Sequence, residues 1–363
     1  MKYIVYTLLT CCVLISSVQA AKEEYIYPAE LMGSVFAVAS SPDGSKFVAG
    51  GIGKRLLIFD AASGKELKRM EGDLGEIRAA AFSLDGKQVI AWSEDVNLDV
   101  IVDHKIVKRT RSIRTWDAES GKELKKVIIH TDIWFSNSHM EGCYFSPDRK
   151  CIIAACHDNT VRIWDTESGE ELHRLGGEGD TADEIRCIAV SPDGTKVIAV
   201  YLISPAQVWI LRTWDTQSGK KLQTLTGGGY LYSVTFSPDG KKFVTAGHDH
   251  IARIWDTESG KELQQLRGHT DSILGVAFSP DGTKIATSAS TSGRTPIKDG
   301  TLRIWDTESG KELQRSQSEL AGGLSFIMFS SDGKRIVADN PFSIWNVYSI
   351  PPSPLARPAI ADF

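Results

Sequence analysis

The sequence has 363 residues, of which 42% are hydrophobic, and a formal net charge of −5. That balance supplies no basic face, which argues against a dedicated nucleic-acid binder or a protein held on anionic lipid. The length would suit two ordinary domains, but all-β folds of this size also occur as one.

The chain opens MKYIVYTLLTCCVLISSVQA. Lys2 gives a positive start, residues 3–15 are almost free of polar groups, and Val18 and Ala20 set small residues where a signal peptidase reads. Residues 1–20 are therefore expected to be a secretory signal peptide, cleaved near Ala20, that exports the chain to the periplasm or the extracellular medium. Two rival readings exist. A membrane anchor needs ~20 apolar residues, more than this run holds. A lipoprotein signal would use Leu8 and Cys11, with Thr10 a poor residue beside the lipidated cysteine. After cleavage no transmembrane segment is expected.

From there the chain repeats itself, and repeats decide the fold before any other feature does. FSPDG stands at 236–240 and 278–282. Close variants begin at Ser40, Phe82, Phe145, Val190 and Phe329, which makes seven. Each is followed by a second motif: IFD ending at Asp60, TWD at Asp117, IWD at Asp165, TWD at Asp215, IWD at Asp256, IWD at Asp306 and IWN at Asn346. Six of the seven continue into Ser-Gly and then Lys or Glu, as in DTESGKEL. The runs on either side of each SPDG, such as SILGVAF and KFVTAG, alternate with period two and predict half-buried strands. Pro-Asp-Gly between them is turn chemistry: Pro presets φ, Asp bonds back to the backbone, and Gly accepts φ > 0. Ser-Gly marks a second hairpin turn by the same logic. A segment such as ELQQLRG supplies a fourth strand, and no helical pattern intervenes.

Paired motifs of this kind resemble the WD-repeat (WD40) β-propeller family, in an exported, bacterial-type member, and the resemblance covers nearly all of 22–346. It implies an all-β fold: a seven-bladed β-propeller of four-stranded antiparallel blades. The domain plan is then a signal peptide at 1–20, the propeller at 21–346 and a Pro-rich tail at 347–363. The family's Gly-His signature stands once, at Gly268-His269, and its Asp six residues before the Trp stands as Asp158, Asp249 and Asp299. A complete structural tetrad is thus implied only in the sixth blade, from His269, Ser288, Asp299 and Trp305. Residues 24–27 hold the same place before the first SPDG as KELQQLRGH holds before a later one, while the prolines after Asn346 cannot continue a central strand. The N-terminal strand is therefore expected to complete the last blade and remove the open edge.

Function is expected where the repeat is broken, because insertions map to loops on one face. Asp43–Phe59, Asp148–Trp164 and Asp239–Trp255 are each 16 residues apart. The same interval is 31 in the second unit, 21 in the fourth, 24 in the sixth and 13 in the last. The resemblance implies that these insertions open on one face, together with the long connections into the third and fourth blades. The second unit adds a charged hairpin with Lys105, Arg109 and Arg111 on its return arm. The fourth adds one with Tyr201 and Trp209, and the approach to the third carries Trp134, Phe135, His139 and Met140. Aromatics, Arg and Met are enriched at interface cores, so these nine residues form the candidate partner-binding surface. The alternative is that the two hairpins bury their apolar residues against each other.

No GxSxG, HExxH or CxxC occurs. Gly177-x-Gly179-x-x-Ala182 lies in an inter-blade loop beside acidic residues, a poor setting for a phosphate. Cys151-x4-Cys156-His157 has the wrong spacing for haem attachment, and Asp249 of His248-Asp249-His250 fits a turn better than a metal site. Cys143, Cys151, Cys156 and Cys187 are too sparse for a disulfide scaffold; free buried thiols and an occasional bridge both remain open. The expectation is a monomeric, non-catalytic protein-binding scaffold with no catalytic residue, cofactor or metal. A propeller enzyme or small-ligand binder using the central channel is one alternative, and a cell-envelope assembly or docking factor is another.

Overall fold

The computed structural model describes residues 35–51, 53–60, 65–70, 72, 74–94, 100–102, 105–131, 143–156, 158–177, 183–203, 208–289, 299–315, 327–329, 333, 335–340 and 344–349. The expected signal peptide at 1–20, the closing strand at 24–27, Trp134, Phe135, His139, Met140, residues 179–182 and the tail from 350 lie outside them. All regular structure among the described residues is strand, and no helix there is long and apolar enough to cross a membrane.

Seven antiparallel sheets follow one another along the chain, each a meander in sequence order. Sheet one holds Val35–Ser40, Lys46–Gly51, Leu56–Asp60 and Glu66–Arg69. Sheet two holds Glu76–Phe82, Gln88–Glu94, Lys105–Asp117 and Glu123–Thr131, and Val100–Val102 adds a fifth strand against the third. Sheet three holds Cys143–Phe145, Cys151–Ala155, Val161–Asp165 and Glu171–Leu175. Sheet four holds Asp183–Val190, Lys196–Ile203, Val208–Asp215 and Lys221–Gly228. Sheet five holds Leu231–Phe236, Lys242–Gly247, Ile251–Asp256 and Glu262–Arg267. Sheet six holds Ile273–Phe278, Lys284–Ala289, Leu302–Asp306 and Glu312–Arg315, and sheet seven Ile327–Phe329, Arg335–Asn340 and Ile344–Ser349.

Turn residues set this meander. In sheet five the Ser237 hydroxyl donates to Asp239 Oδ1 at 2.7 Å and accepts the Lys242 N–H at 2.9 Å, while Asp239 accepts the Lys241 N–H at 3.1 Å. The same bonds recur at Ser41, Ser83, Ser146, Ser191 and Ser279. At Asp43, hydrogen bonds from the Ser41 hydroxyl and from Ser45 hold the carboxyl down at about 2. At the other end of each hairpin pair, Asp256 accepts the backbone N–H and the hydroxyl of Ser259 at 2.8 and 2.6 Å. The recurring Asp residues of both motifs are therefore spent on local hydrogen bonds.

The core lies between sheets. Side chains alternate across a strand, so Ala80 and Phe82 pack with sheet one while Ala79 and Ala81 pack with sheet three. Ile152 and Ala154 likewise face sheet two, and Ile153 and Ala155 face sheet four. Six such clusters join the seven sheets in order, and in five of them the Trp of the later sheet is buried against the earlier one: Trp116, Trp164, Trp214, Trp255 and Trp305.

Consecutive SPDG turns also touch. The Gly of each later turn lies beside the Pro of the turn before it: Gly86 on Pro42, Gly194 on Pro147, Gly240 on Pro192, Gly282 on Pro238 and Gly333 on Pro280. One joint differs on both sides. The second turn has Leu84 in the Pro place, and the third has Arg149 in the Gly place at φ 63°. There the Arg149 Nε reaches back to donate to the Phe82 carbonyl at 3.2 Å.

The last sheet corrects the sequence reading. Lys284 pairs with Asp306 and Ile285 with Trp305 in sheet six, yet in sheet seven Arg335 pairs with Ser349 and Ile336 with Tyr348, while Trp345 is opposite Asp339. Tyr348-Ser349, not Trp345-Asn346, therefore fills the Trp-Asp place. Tyr348 stands 16 residues after Asp332, the interval of the regular units, so the short spacing to Trp345 was a misplaced motif. The strand accordingly runs three residues past the expected boundary at Asn346.

The turn contacts make a prediction. Gly194 and Gly282 have φ of +74° and +71°, but an added Cβ would stand 2.7 Å from Pro147 Cδ in the first and 3.5 Å from Pro238 Cδ in the second. Gly282→Ala is expected to cost about 1–2 kcal/mol for the left-handed backbone. Gly194→Ala is expected to cost about 1 kcal/mol or more beyond that through overpacking. Urea midpoints at constant slope measure both, and equal losses would remove the steric contact from the account.

Candidate functional site

Sheet six contains a buried network of polar side chains that joins two connecting segments to two strands. His269 Nδ1 lies 2.9 Å from Asp299 Oδ2, which also accepts the Thr270 N–H at 2.9 Å. His269 Nε2 lies 2.7 Å from the Thr287 hydroxyl, and the Trp305 indole N–H donates to that same oxygen at 2.8 Å. One tautomer satisfies every atom: Thr287 accepts from Trp305 and donates to Nε2, and Nδ1–H donates to Asp299. Burial pushes the His269 imidazole below its ordinary value, against the raising effect of Asp299. Burial also works on Asp299, but hydrogen bonds from His269, Thr301 and the Thr270 N–H hold its carboxyl well below the usual range. The Thr287 oxygen is wholly buried and already bonded to an indole, so the arrangement ties strands together and does not expose a nucleophile.

The hydroxyl in this network corrects the expected one. It belongs to Thr287, not Ser288. Neighbours on a strand point to opposite faces, and the Ser288 side chain lies by Gly275, towards sheet seven. The Thr287 place is Ala49, Ala91, Ala154 and Ala199 in sheets one to four and Thr245 in sheet five, where the Trp255 indole donates to it at 2.9 Å. An Arg two residues before the Trp adds a charge clamp. Arg303 bonds Asp299 and Glu312 at 3.3 and 3.0 Å, Arg162 bonds Asp158 and Glu171 at 2.6 and 2.7 Å, and Arg114 bonds Glu123 at 3.1 Å. Arg253 takes Asp249 at 2.6 Å, which engages the carboxylate of His248-Asp249-His250. Among the described residues no three His, Cys, Asp or Glu side chains are grouped to hold a metal ion.

The inserted sector is only partly a surface. Lys105 and Arg109 lie on the long third strand of sheet two, with Arg109 paired to Thr131. Arg111, however, is 2% exposed and lies 3.5 Å from Glu94. Tyr201 is 1% exposed, edge-on to Trp214 with Arg212 over its ring. Trp209 is 5% exposed, edge-on to Trp255 and resting on Gly227. These three therefore leave the candidate surface: the extended strands carry their inward alternation outward, and every second side chain turns into the inter-sheet core. At the same end of the molecule stand residues that the sequence reading passed over. Arg78 Nη2 lies 2.9 Å from Glu76 and 3.2 Å from Glu94, and Arg186 Nη2 lies 3.6 Å from Glu184. The signal for them was the Glu-Ile-Arg that recurs at 76–78 and 184–186.

Cys143, Cys151, Cys156 and Cys187 are unbridged. Burial pushes the Cys187 thiol up to about 12 and the Cys143 thiol higher still, so both stay protonated and unreactive. Cys151 lies on the strand Cys151–Ala155, as the repeat predicts.

Compared with known families, the chain matches the WD domain, G-beta repeat, at residues 129–165, 219–256 and 260–306. No curated protein matches it. The third match contains His269, Thr287, Asp299 and Trp305.

Two measurements check the network. Thr287→Val removes a partner from both His269 and Trp305 and is expected to cost about 2–3 kcal/mol, against about 1 kcal/mol for Thr245→Val, which orphans one indole. Because the folded chain holds His269 below its unfolded value near 6.5, the folded state binds fewer protons. Its contribution is full above that value and is lost as pH falls towards the folded one. The stability decline between pH 7 and 5 is therefore expected to flatten in His269→Gln; an unchanged slope would exclude His269 as its source.

Proposed function

This chain carries WD repeats, and on that footing we propose that it is an exported, non-catalytic platform that binds another protein. WD repeats commonly mediate protein–protein interaction, and WD propellers are typically scaffolds. In this reading the seven sheets are the blades of one closed propeller. Sheet seven has three strands among the described residues where the others have at least four, and residues 24–27 supply the missing outer strand. Residues 1–20 direct export, which would leave that strand close to the new N-terminus.

The observation that carries the reading is the unequal length of the sheets. Third strands of five residues, as at Leu56–Asp60 and Val161–Asp165, become 13 residues at Lys105–Asp117 and eight at Val208–Asp215. The extra length lies at the end where second and third strands join, so sheets two and four rise above their neighbours on one face. Residues 132–142, with Trp134, Phe135, His139 and Met140, join sheet two to sheet three at that same end. We place the partner on this face, with Lys105 and Arg109 on its edge.

The test is capture of partners from a cell-envelope extract by the chain beginning at Ala21, beside a Trp134→Ala, Phe135→Ala double variant. Trp209 and Tyr201 stay unaltered, because removing a buried aromatic costs about 3–5 kcal/mol and would test folding instead. A protein recovered by the first and reduced at least tenfold with the folded second is expected. Equal recovery would move the binding surface elsewhere, and no recovery by either would favour a small ligand in the central channel.

A further inference from the structure

Two inner strands share a local design that no other described inner strand has. Glu76-Ile77-Arg78 stands in sheet two and Glu184-Ile185-Arg186 in sheet four, and each Arg sits at a bulge between the Ile and the next paired residue. The two guanidinium groups are alike in exposure, with side chains 27% and 25% accessible. One difference between their surroundings is the residue across from the Glu. In sheet two the residue across from Glu76 is Glu94, which contacts Arg78 at 3.2 Å and is itself paired on the next strand with Arg111. In sheet four the residue across from Glu184 is Leu202, which is paired with Trp209. An ion pair in one sheet is thus an apolar pair in the other.

Arg186 is left with Glu184 at 3.6 Å, against the 2.9 and 3.2 Å at which Arg78 meets Glu76 and Glu94. A guanidinium group with one loose carboxylate contact keeps donors for a second acceptor. Tyr232 of sheet five lies near enough for the Arg186 charge to act on its phenol, while burial, the larger effect, keeps the hydroxyl protonated and able to donate.

We infer that Arg186, beside Tyr232, is the docking point for an acidic side chain, Asp or Glu, of the protein partner. The incoming carboxylate supplies the second acceptor that Glu94 gives Arg78 in sheet two and forms the charge-assisted, fork-shaped contact that guanidinium geometry favours. The inference rests on the platform reading and assigns a chemistry to one part of that face.

The full mature chain is titrated into fluorescein-labelled hexaglutamate and hexaglutamine at low ionic strength, with anisotropy as the readout. Hexaglutamate is expected to bind at least tenfold more tightly than hexaglutamine, and Arg186→Gln to remove at least that factor with the melting curve unchanged. Leu202→Glu, which rebuilds the sheet-two arrangement, is expected to abolish the preference from within; should that variant not fold, Arg186→Gln decides alone. Equal binding of the two peptides, or an Arg186→Gln variant that still prefers hexaglutamate, overturns the inference. So does displacement of hexaglutamate by acetate at matched carboxylate concentration, since the site would then take any small anion. Capture of a protein from extract that is equal for wild type and Arg186→Gln overturns the docking point and leaves the platform. No capture by either overturns the platform and this docking point with it.

Discussion

A β-sheet with two apolar faces cannot end in water on either side, and nearly everything in this molecule follows from that constraint. The strands of sheets two to six send alternate side chains to different neighbours, as Ile152 and Ile153 do towards sheets two and four. No such sheet is stable alone, and the smallest folding unit is a sheet with its flanks covered. The repeated motif Trp of sheets two to six is the largest piece of this exchange, built by one sheet and buried by the one before it. Tight turns follow from the same demand, because neighbouring inner strands approach closely only if the connections do not spread them apart.

Polar groups are admitted to this interior on strict terms. Arg162 and Arg303 enter with carboxylates from the preceding turn and the outer strand, and Thr287 enters with two partners. In sheets one to four the corresponding position is alanine, which asks for nothing. The repeats therefore share a register and differ in polar content as well as in strand length, and the sites that differ are the ones where specific recognition can arise.

The architecture was legible because its signals are local. Ser-Pro-Asp-Gly and Asp-x-x-Ser-Gly state their turns within four and five residues, and their recurrence sets the strands between them. The site was less legible, because it depends on parity and register. Choosing Ser288 over Thr287 is an error of one residue, and on a strand one residue is the whole difference between one interface and the next. Trp345-Asn346 carries the look of the motif, but pairing puts Tyr348-Ser349 in its place. Tyr201, Trp209 and Arg111 had the composition of an interface core, and a core is where they lie, between sheets and not between proteins. Composition cannot separate those two settings; alternation along the lengthened strands could have done so.

The joint between the second and third turns bears on how such a chain can change over generations. Leu84 and Arg149 depart together, one on each side of a boundary, while every neighbouring joint described keeps Pro against Gly. An arginine in place of Gly194 would put its Cβ 2.7 Å from Pro147 Cδ, and a glycine behind Leu84 would lose the bond to the Phe82 carbonyl. Copying or exchanging a whole sheet would split such a pair. A replacement that keeps this joint intact has to span both turns, and so more than one repeat.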